Sequence, residues 1–533
     1  MADSPMIKRA LISVSDKSGL AELAAGLARF GVELYSTGGT RSFLESQGLT
    51  VRDVADYTGF PEMMGGRLKT LHPKIFGGIL ARRELAEDLA AMESHGISAF
   101  DLIVVNLYPF EATIAKPGVS WNEAIEQIDI GGPSLIRAAS KNHRHVTVAT
   151  HPSQYAAILE ELDFHQGATS LALRKRLAAE CFASTAAYDA CIAGYFAEQL
   201  ELETPHSAGE AVAFPSKLTI SMELQDELRY GENPHQAAAV YRLPRSKSVG
   251  LVGAKQLNGK ELSYNNLLDL DSAMTIARSF SQPSAVVIKH NNPCGAASSH
   301  KLVWACRKAL AGDPLSAFGG VIGFNTPVDV ETAEVLSEPG LFVEAIVAPS
   351  FEDKALEMLK TKPKWRENVR LIAVGPMAVD SREWNYRLIS GGVLVQQSDT
   401  LPATPLDWKT VTVAHAGDEL WDDIAFAWEM VRHVKSNAIV LANDAALVGV
   451  GAGQMSRVDS VEIAIHKAGD RSRGSVLASD AFFPFPDSID RAAQAGIVAI
   501  IQPGGSKKDS EVIEACNRHR IPMIFTGKRH FKH

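Results

Sequence analysis

The chain has 533 residues, too many for one ordinary hydrophobic core, so two or more domains are expected. A formal net charge of −9 argues against general nucleic-acid binding, and five scattered cysteines without a C-x-x-C pair exclude a disulfide framework or a zinc ribbon. There is no apolar run of membrane-spanning length, and the start (Met1-Ala2-Asp3-Ser4-Pro5) lacks a signal-peptide pattern, so a cytoplasmic protein without membrane contacts is expected.

Ala10 to Ser15 reads as a strand ending in hydroxyls. Asp16 or Ser18 would cap the helix that follows, with apolar positions Leu20, Leu23, Ala24, Leu27 and Phe30, and Gly31 would end it. A second strand, Val32 to Tyr35, leads into Ser36-Thr37-Gly38-Gly39-Thr40 and another helix. Strand, loop, helix, repeated, predicts a parallel sheet. The loop offers hydroxyls and bare N–H groups at a helix N-terminus, a place suited to a phosphate, with Lys17 adding a charge. A plain glycine turn has the same composition.

Glycines and bases interleave in Gly65-Gly66-Arg67-Leu68-Lys69-Thr70-Leu71-His72-Pro73-Lys74, which fits a loop wrapped on an anion better than a solvated charge run. Asp101 to Val105 is a strand placing Tyr108 at a sheet edge. Asp129-Ile130-Gly131-Gly132 opens a helix carrying Arg137 and Lys141, where Asp129 could simply be a cap. Val146 to Thr150 is a further strand, and a long helix from Leu171 to Leu200 buries a stripe at Leu173, Leu177, Cys181 and Thr185.

The polar, Pro/Gly-containing stretch Glu203 to Glu210 marks a boundary, giving domains at 1–200 and 217–533 around a linker at 201–216. In the second half Val286-Val287-Ile288 reads as a buried strand that ends in Lys289-His290-Asn291-Asn292-Pro293-Cys294-Gly295. Pro293 is expected to stop the ladder and Gly295 to open a helix through Leu302 and Cys306. Lys289 and His290 would then stand where a strand turns into a helix, as a cation beside a proton shuttle. Further strands are expected at Val321 to Phe324, Val393 to Gln396 and Ala438 to Ala442, and the two strand-to-polar-loop units (286–295 and 438–444) hint at an internal repeat.

Nine segments, in this order, are similar to one family: Ser-Val-Ser-Asp-Lys (13–17), Ser-Thr-Gly-Gly-Thr (36–40), Lys-Thr-Leu-His-Pro (69–73), Asn-Leu-Tyr-Pro-Phe (106–110), Asp-Ile-Gly-Gly (129–132), Arg-Tyr-Gly-Glu-Asn-Pro-His-Gln (229–236), Lys-His-Asn-Asn-Pro-Cys-Gly (289–295), Gly-Ala-Gly-Gln-Met-Ser-Arg (451–457) and Asp-Ala-Phe-Phe-Pro-Phe (480–485). Together the chain resembles the bifunctional purine biosynthesis enzymes, in which aminoimidazolecarboxamide ribotide (AICAR) formyltransferase is joined to inosine monophosphate (IMP) cyclohydrolase. The resemblance implies an N-terminal doubly wound parallel sheet of methylglyoxal-synthase type. It also implies a C-terminal α/β domain of two cytidine-deaminase-like units, although no zinc-ligand set accompanies Pro293-Cys294.

By the same resemblance, Ser13, Ser15, Lys17, Ser36, Thr37, Gly38, Gly39, Thr40, Arg67 and Thr70 would cradle the ribotide phosphate of the cyclohydrolase, and Lys69, Tyr108, Asp129 and Lys141 would surround its reacting atoms. In the formyltransferase, Lys289, His290 and Asn437 would act on the formyl group. Arg229, Tyr230, Gly231, Arg457, Phe482 and Arg529 would bind substrate, with Glu344 near the folate and the tail, disordered by default, buried at the site. The implied co-substrate is 10-formyltetrahydrofolate, the partners AICAR, formyl-AICAR and IMP, and the assembly a homodimer with formyltransferase sites between subunits. No zinc is implied; a monovalent cation is compatible. Two other classes remain open on the residues alone: a nucleotide-binding sensor of phosphorylated metabolites without cyclohydrolase chemistry, and a zinc deaminase, against which the cysteine pattern stands.

Overall fold

The computed structural model describes residues 5–203, 214–243, 250–377, 384–400 and 405–533, so most of the expected linker lies outside the described residues. The chain divides into two compact units, Met1–Met222 and Glu223–His533.

In the first unit β1 (Arg9–Ser13), β2 (Glu33–Ser36), β3 (Val51–Asp53), β4 (Leu102–Val105) and β5 (Thr147–Ala149) form one parallel sheet in the order β3-β2-β1-β4-β5. Its strands are buried on both faces, as β1 shows with Ala10, Leu11 and Ile12 at 0% exposure. The chain winds from β1 to β3 on one side and resumes at β4 on the other, so the switch of direction lies between β1 and β4, where a crevice opens at the carboxyl edge. Helix Leu20–Arg29 buries Leu20, Leu23, Ala24 and Leu27, as its spacing predicts. Neither Asp16 nor Ser18 caps it: the chain enters through left-handed Gly19, and the Asp16 carboxylate accepts the Ser18 N–H at 2.9 Å inside the loop instead. The last helix runs Leu171–Glu203, past the expected start of the linker, and buries Leu173, Leu177, Cys181 and Thr185.

The second unit holds two separate antiparallel pairs, β6 (Glu223–Leu228) with β7 (Ala238–Arg242) and β14 (Trp384–Ile389) with β15 (Gly392–Gln397). Its main sheet has twelve strands: β8 (Lys255–Asn258), β9 (Ser284–Lys289), β10 (Asn292–Ser298), β11 (Gly320–Phe324), β12 (Val343–Ala348), β13 (Arg370–Ala373), β16 (Lys409–Thr410), β17 (Ile439–Asn443), β18 (Ala446–Gly451), β19 (Val476–Ser479), β20 (Ala499–Gln502) and β21 (Met523–Phe525). The order β16-β21-β20-β19-β17-β18-β10-β9-β11-β12-β13-β8 reads the same from either end. In each half a central hairpin meets an antiparallel neighbour, two parallel strands and an antiparallel edge. The repeat hinted at by the sequence is therefore a repeat of topology.

The region after Lys289 differs from the sequence expectation. β9 turns back through a tight hairpin into β10, and the helix starts only at Leu302. His290 and Asn291 take positive φ (49° and 64°), the type I′ geometry that matches strand twist. Pro293 sits near the start of β10, beside a register shift between Pro293 and Gly295, where its missing N–H disturbs no regular pairing. The second hairpin repeats this device with Asp444 and Ala445 at φ 55° and 47°. Glycine is required where each hairpin meets its helix: a Cβ on Gly295 would stand 1.9 Å from the Ala309 carbonyl oxygen, and one on Gly449 2.3 Å from that of Ala464.

Candidate functional site

In the first unit, five polar segments meet at the carboxyl edge of the sheet. The loop after β1 is fastened to the loop after β4 by the Ser15 hydroxyl donating to Leu107 O (2.8 Å) and by Asp16 N–H donating to Asn106 Oδ1 (3.1 Å). It is fastened to the loop after β2 by Thr40, whose hydroxyl donates to Val14 O (2.9 Å) and accepts Val14 N–H (3.2 Å). Ser36 is fully buried and donates to Ile12 O at 2.7 Å. The Ser36 and Thr40 hydroxyls thus shape the loop, and what faces outward is the start of helix Gly38–Ser46, with Thr37 extended before it and Gly38 at φ 46°. Ser13 ends β1, and Lys17 lies in the loop that follows it.

The 63–73 segment closes the edge. Lys69 Nζ pairs with Glu62 Oε1 at 2.8 Å and lies 3.7 Å from where a side chain on Gly38 would begin. Gly66, at φ 93°, lets it pass: a Cβ there would stand 2.8 Å from Lys69 Cε. Thr70 is buried, and its hydroxyl would be 3.4 Å from a Cβ on Gly131. Arg67 is paired with Glu126 on the surface. Asp129 accepts the Gly132 N–H at 2.8 Å, so the cap that the sequence allowed exists. Burial raises its pKa, and the N–H groups of Gly132, Tyr108 and Gly131 oppose that rise. Tyr108 is 42% exposed at the same edge.

Lys141 is the exception. It ends helix Gly131–Lys141, and a helix of that length carries it about 15 Å from the Gly131 end. Within one chain it is an exposed residue at the far end of that helix from Asp129.

In the second unit the end of β9, the start of β17 and the end of β19 reach one edge of the long sheet. Lys289 Nζ donates to Gly319 O (2.9 Å) and, more weakly, to Phe318 O (3.4 Å), which fixes the ammonium beside the start of β11. His290 is exposed at the turn. The turn is held from below by Asp269, which accepts Asn291 N–H at 2.7 Å and whose carboxyl is raised chiefly by burial. Asp423 does the same for the other hairpin, accepting Ala445 N–H (2.6 Å) and Asp444 N–H (3.1 Å). The sequence reading missed both aspartates, each of which is carried by a helix beneath its turn.

Asn437 gives both amide hydrogens to the loop before Arg457, to Gln454 O (2.9 Å) and Met455 O (3.2 Å), and its Oδ1 accepts Arg457 Nη2 at 2.9 Å. Arg457 is buried and bonds Ser479 Oγ (2.7 Å) and Asp480 Oδ1 (2.5 Å). Both residues therefore build the wall of this edge. Phe482 is 38% exposed just beyond Asp480. The tail is not loose: Lys532 O accepts Ser436 N–H (2.9 Å), Lys435 Nζ reaches His533 O (2.8 Å), and buried His530 lies 2.6 Å from Asp399. Arg529 is exposed, its guanidinium 4.3 Å from the Phe531 ring centroid. Glu344 is held by Arg370 at the start of β12. Arg229 stacks on Tyr230 at 4.9 Å, Gly231 N–H closes the loop onto Gln236 O (2.7 Å), and that loop is tied by Glu232 O to Asn265, at the head of the helix carrying Asp269. Among the described residues no group of three or more His, Cys, Asp or Glu side chains is placed to hold a metal ion, and no helix is long and apolar enough to cross a membrane.

A parallel sheet with a glycine-rich helix start at its carboxyl edge, and a separate repeated α/β unit with a lysine and a histidine on its own polar edge, define a mixed α/β protein of two units. Comparison places it more closely. The family model described as AICARFT/IMPCHase bienzyme matches residues 139–467, and the MGS-like domain model matches residues 19–134. A protein of Rhodopirellula baltica named bifunctional purine biosynthesis protein PurH is 59% identical over 535 residues, covering all of both chains. Proteins of the same name from Desulfitobacterium hafniense and Halalkalibacterium halodurans are 50% and 48% identical, each covering 99% of this chain and 100% of their own. A solved structure titled as that of ForH is 38% identical, covering 36% of this chain and 97% of its own, with a TM-score of 0.33. The chain belongs to the AICARFT/IMPCHase bienzyme family.

Proposed function

We propose that the two activities of this bifunctional enzyme of purine biosynthesis are divided between the two polar edges. The second domain transfers a formyl group from 10-formyltetrahydrofolate to the 5-amino group of AICAR, and the first closes formyl-AICAR to IMP. In the transfer, the amine nitrogen attacks the formyl carbon and a C–N bond forms. His290 takes the proton the amine sheds. Lys289, held by the Gly319 carbonyl, stabilises the tetrahedral oxyanion and supplies the proton to the departing folate nitrogen as the old C–N bond breaks. Asn437 and Arg457 shape the wall; Arg229, Tyr230, Gly231, Phe482, Glu344 and Arg529 complete the binding surface.

In the cyclisation the carboxamide nitrogen attacks the formyl carbon of the same molecule, and the formyl oxygen leaves as water with protons from the two ring-closing nitrogens. The reaction is intramolecular, so the site mainly holds a near-attack geometry. Backbone N–H groups of Gly38 to Thr40 with Lys17 and Arg67 hold the phosphate. Lys69 stabilises the developing oxyanion, and Tyr108 with Asp129 moves protons. The same reading assigns the domains to residues 1–200 and 217–533, each half of the second to the cytidine-deaminase-like class, and the working form to a cytoplasmic homodimer with shared formyltransferase sites. A monovalent cation has room in this reading; zinc has no role.

The observation that supports the division most is the separate clustering of Lys69 with Gly38, Thr70 and Gly131 in one unit and of Lys289 with its hairpin in the other. Lys289→Ala is expected to lose formyl transfer and keep cyclisation of supplied formyl-AICAR. Loss of both in a folded variant would refute separate sites.

A further inference from the structure

Asp480 is a fully buried acid of the second domain. It is 0% exposed, and each of its four polar groups is used. Oδ1 accepts Arg457 Nη1 (2.5 Å), Oδ2 accepts the Ser436 hydroxyl, the carbonyl accepts His530 N–H (3.0 Å), and the N–H donates to Ala438 O (3.3 Å). One residue thus ties together the segment before β17, the head of helix Arg457–Ala468 and the C-terminal tail. Arg457 passes the constraint on to Asn437 Oδ1 at 2.9 Å.

The other half of the domain places a neutral residue at the matching position. Asn325 follows β11 as Asp480 follows β19, and its N–H donates to Ser284 O (3.4 Å) just as Asp480 donates to Ala438 O. Its amide closes the backbone alone, accepting Ser284 N–H (2.8 Å) and donating to Phe280 O (2.9 Å) and Gln282 O (2.8 Å). The matching helix there begins with Leu302 where this one begins with Arg457. A neutral amide therefore satisfies the fold, and the carboxylate at 480 answers the buried guanidinium.

We propose that Asp480 is a positioning residue for formyl transfer, which locks Arg457 so that Arg457 holds the Asn437 amide and the 452–456 loop at the reacting edge. The proposal rests on the assignment of that edge to formyl transfer. Asp480→Asn, the residue the sister unit uses, is expected to keep the fold by thermal unfolding, to leave cyclisation at the parent rate, and to lower formyl-transfer kcat by about 100-fold, the scale seen when a supporting group is removed. A residue acting through Asn437 gives non-additive losses. Asn437→Ala/Asp480→Asn is therefore expected to be no slower than Asn437→Ala alone. Parent-rate transfer by Asp480→Asn, or losses that multiply in the double variant, would overturn the proposal while leaving the site reading intact. Parent-rate transfer by Asn437→Ala would overturn both. Should Asp480→Asn unfold, Arg457→Gln/Asp480→Asn removes both charges: a rate equal to that of Arg457→Gln supports the proposal, and a further drop overturns it.

Discussion

Lys69 shows how much one side chain depends on its neighbours. Its ammonium reaches the head of helix Gly38–Ser46 only because Gly66 has no Cβ, and Glu62 holds it there. Lys69→Ala is expected to abolish cyclisation and spare formyl transfer, measured as IMP formed from formyl-AICAR and as tetrahydrofolate released. A second residue-scale effect concerns stability. His433 is buried beside Glu429 and Ser279, and burial drives its pKa down to about 4. The unfolded chain takes up this proton near the ordinary value of 6.5, the folded chain only near 4, so the stability that neutral His433 preserves is full above 6.5 and declines as pH falls towards 4. Between pH 7.5 and 4.5 the melting temperature of His433→Gln should therefore fall less than that of the parent chain. Equal slopes would remove His433 from that role.

Among the elements, the two hairpins are the clearest unit of design. Each is pinned by an aspartate from a helix below and by a glycine facing a helix beside it. Asp269→Ala and Asp423→Ala each strip a carboxylate from the turn N–H groups it accepts, and each is expected to lower stability by about 1–3 kcal/mol. Only Asp269→Ala should also slow formyl transfer, because only the first hairpin carries Lys289 and His290; kinetics on both folded variants decide it. Gly295→Ala would press a methyl into the Ala309 carbonyl and is expected to cost about 1–3 kcal/mol or more by denaturant unfolding. Gly250→Ala, where nothing lies within 4 Å, should be close to neutral.

At the scale of the whole molecule, each unit has its own buried core and its own polar edge. A mixture of Lys69→Ala and Lys289→Ala proteins is therefore expected to convert AICAR to IMP, since one variant supplies formyl-AICAR that the other cyclises. No IMP from the mixture would show that the intermediate does not pass through solution between them.

The residues themselves determined a great deal. Apolar periodicity placed the strands and helices of the first domain, because a parallel sheet with both faces covered demands near-continuous apolar runs. The ordered motifs named the family and its chemistry. What only the tertiary structure decided was which polar atoms are spent and which face outward. Short polar segments such as Lys289-His290-Asn291-Asn292 are locally compatible with a helix start or a hairpin, and in the fold the hairpin is held by Asp269 from a neighbouring helix. Asn437, Arg457, Ser36 and Thr40 read as ligand groups in sequence, and in the fold their side chains also make hydrogen bonds within the protein, while Lys141 stands a helix length away from the Gly131 end of its helix. Hydrogen-bond partners are set by packing in three dimensions, and no pattern of spacing along the chain encodes them.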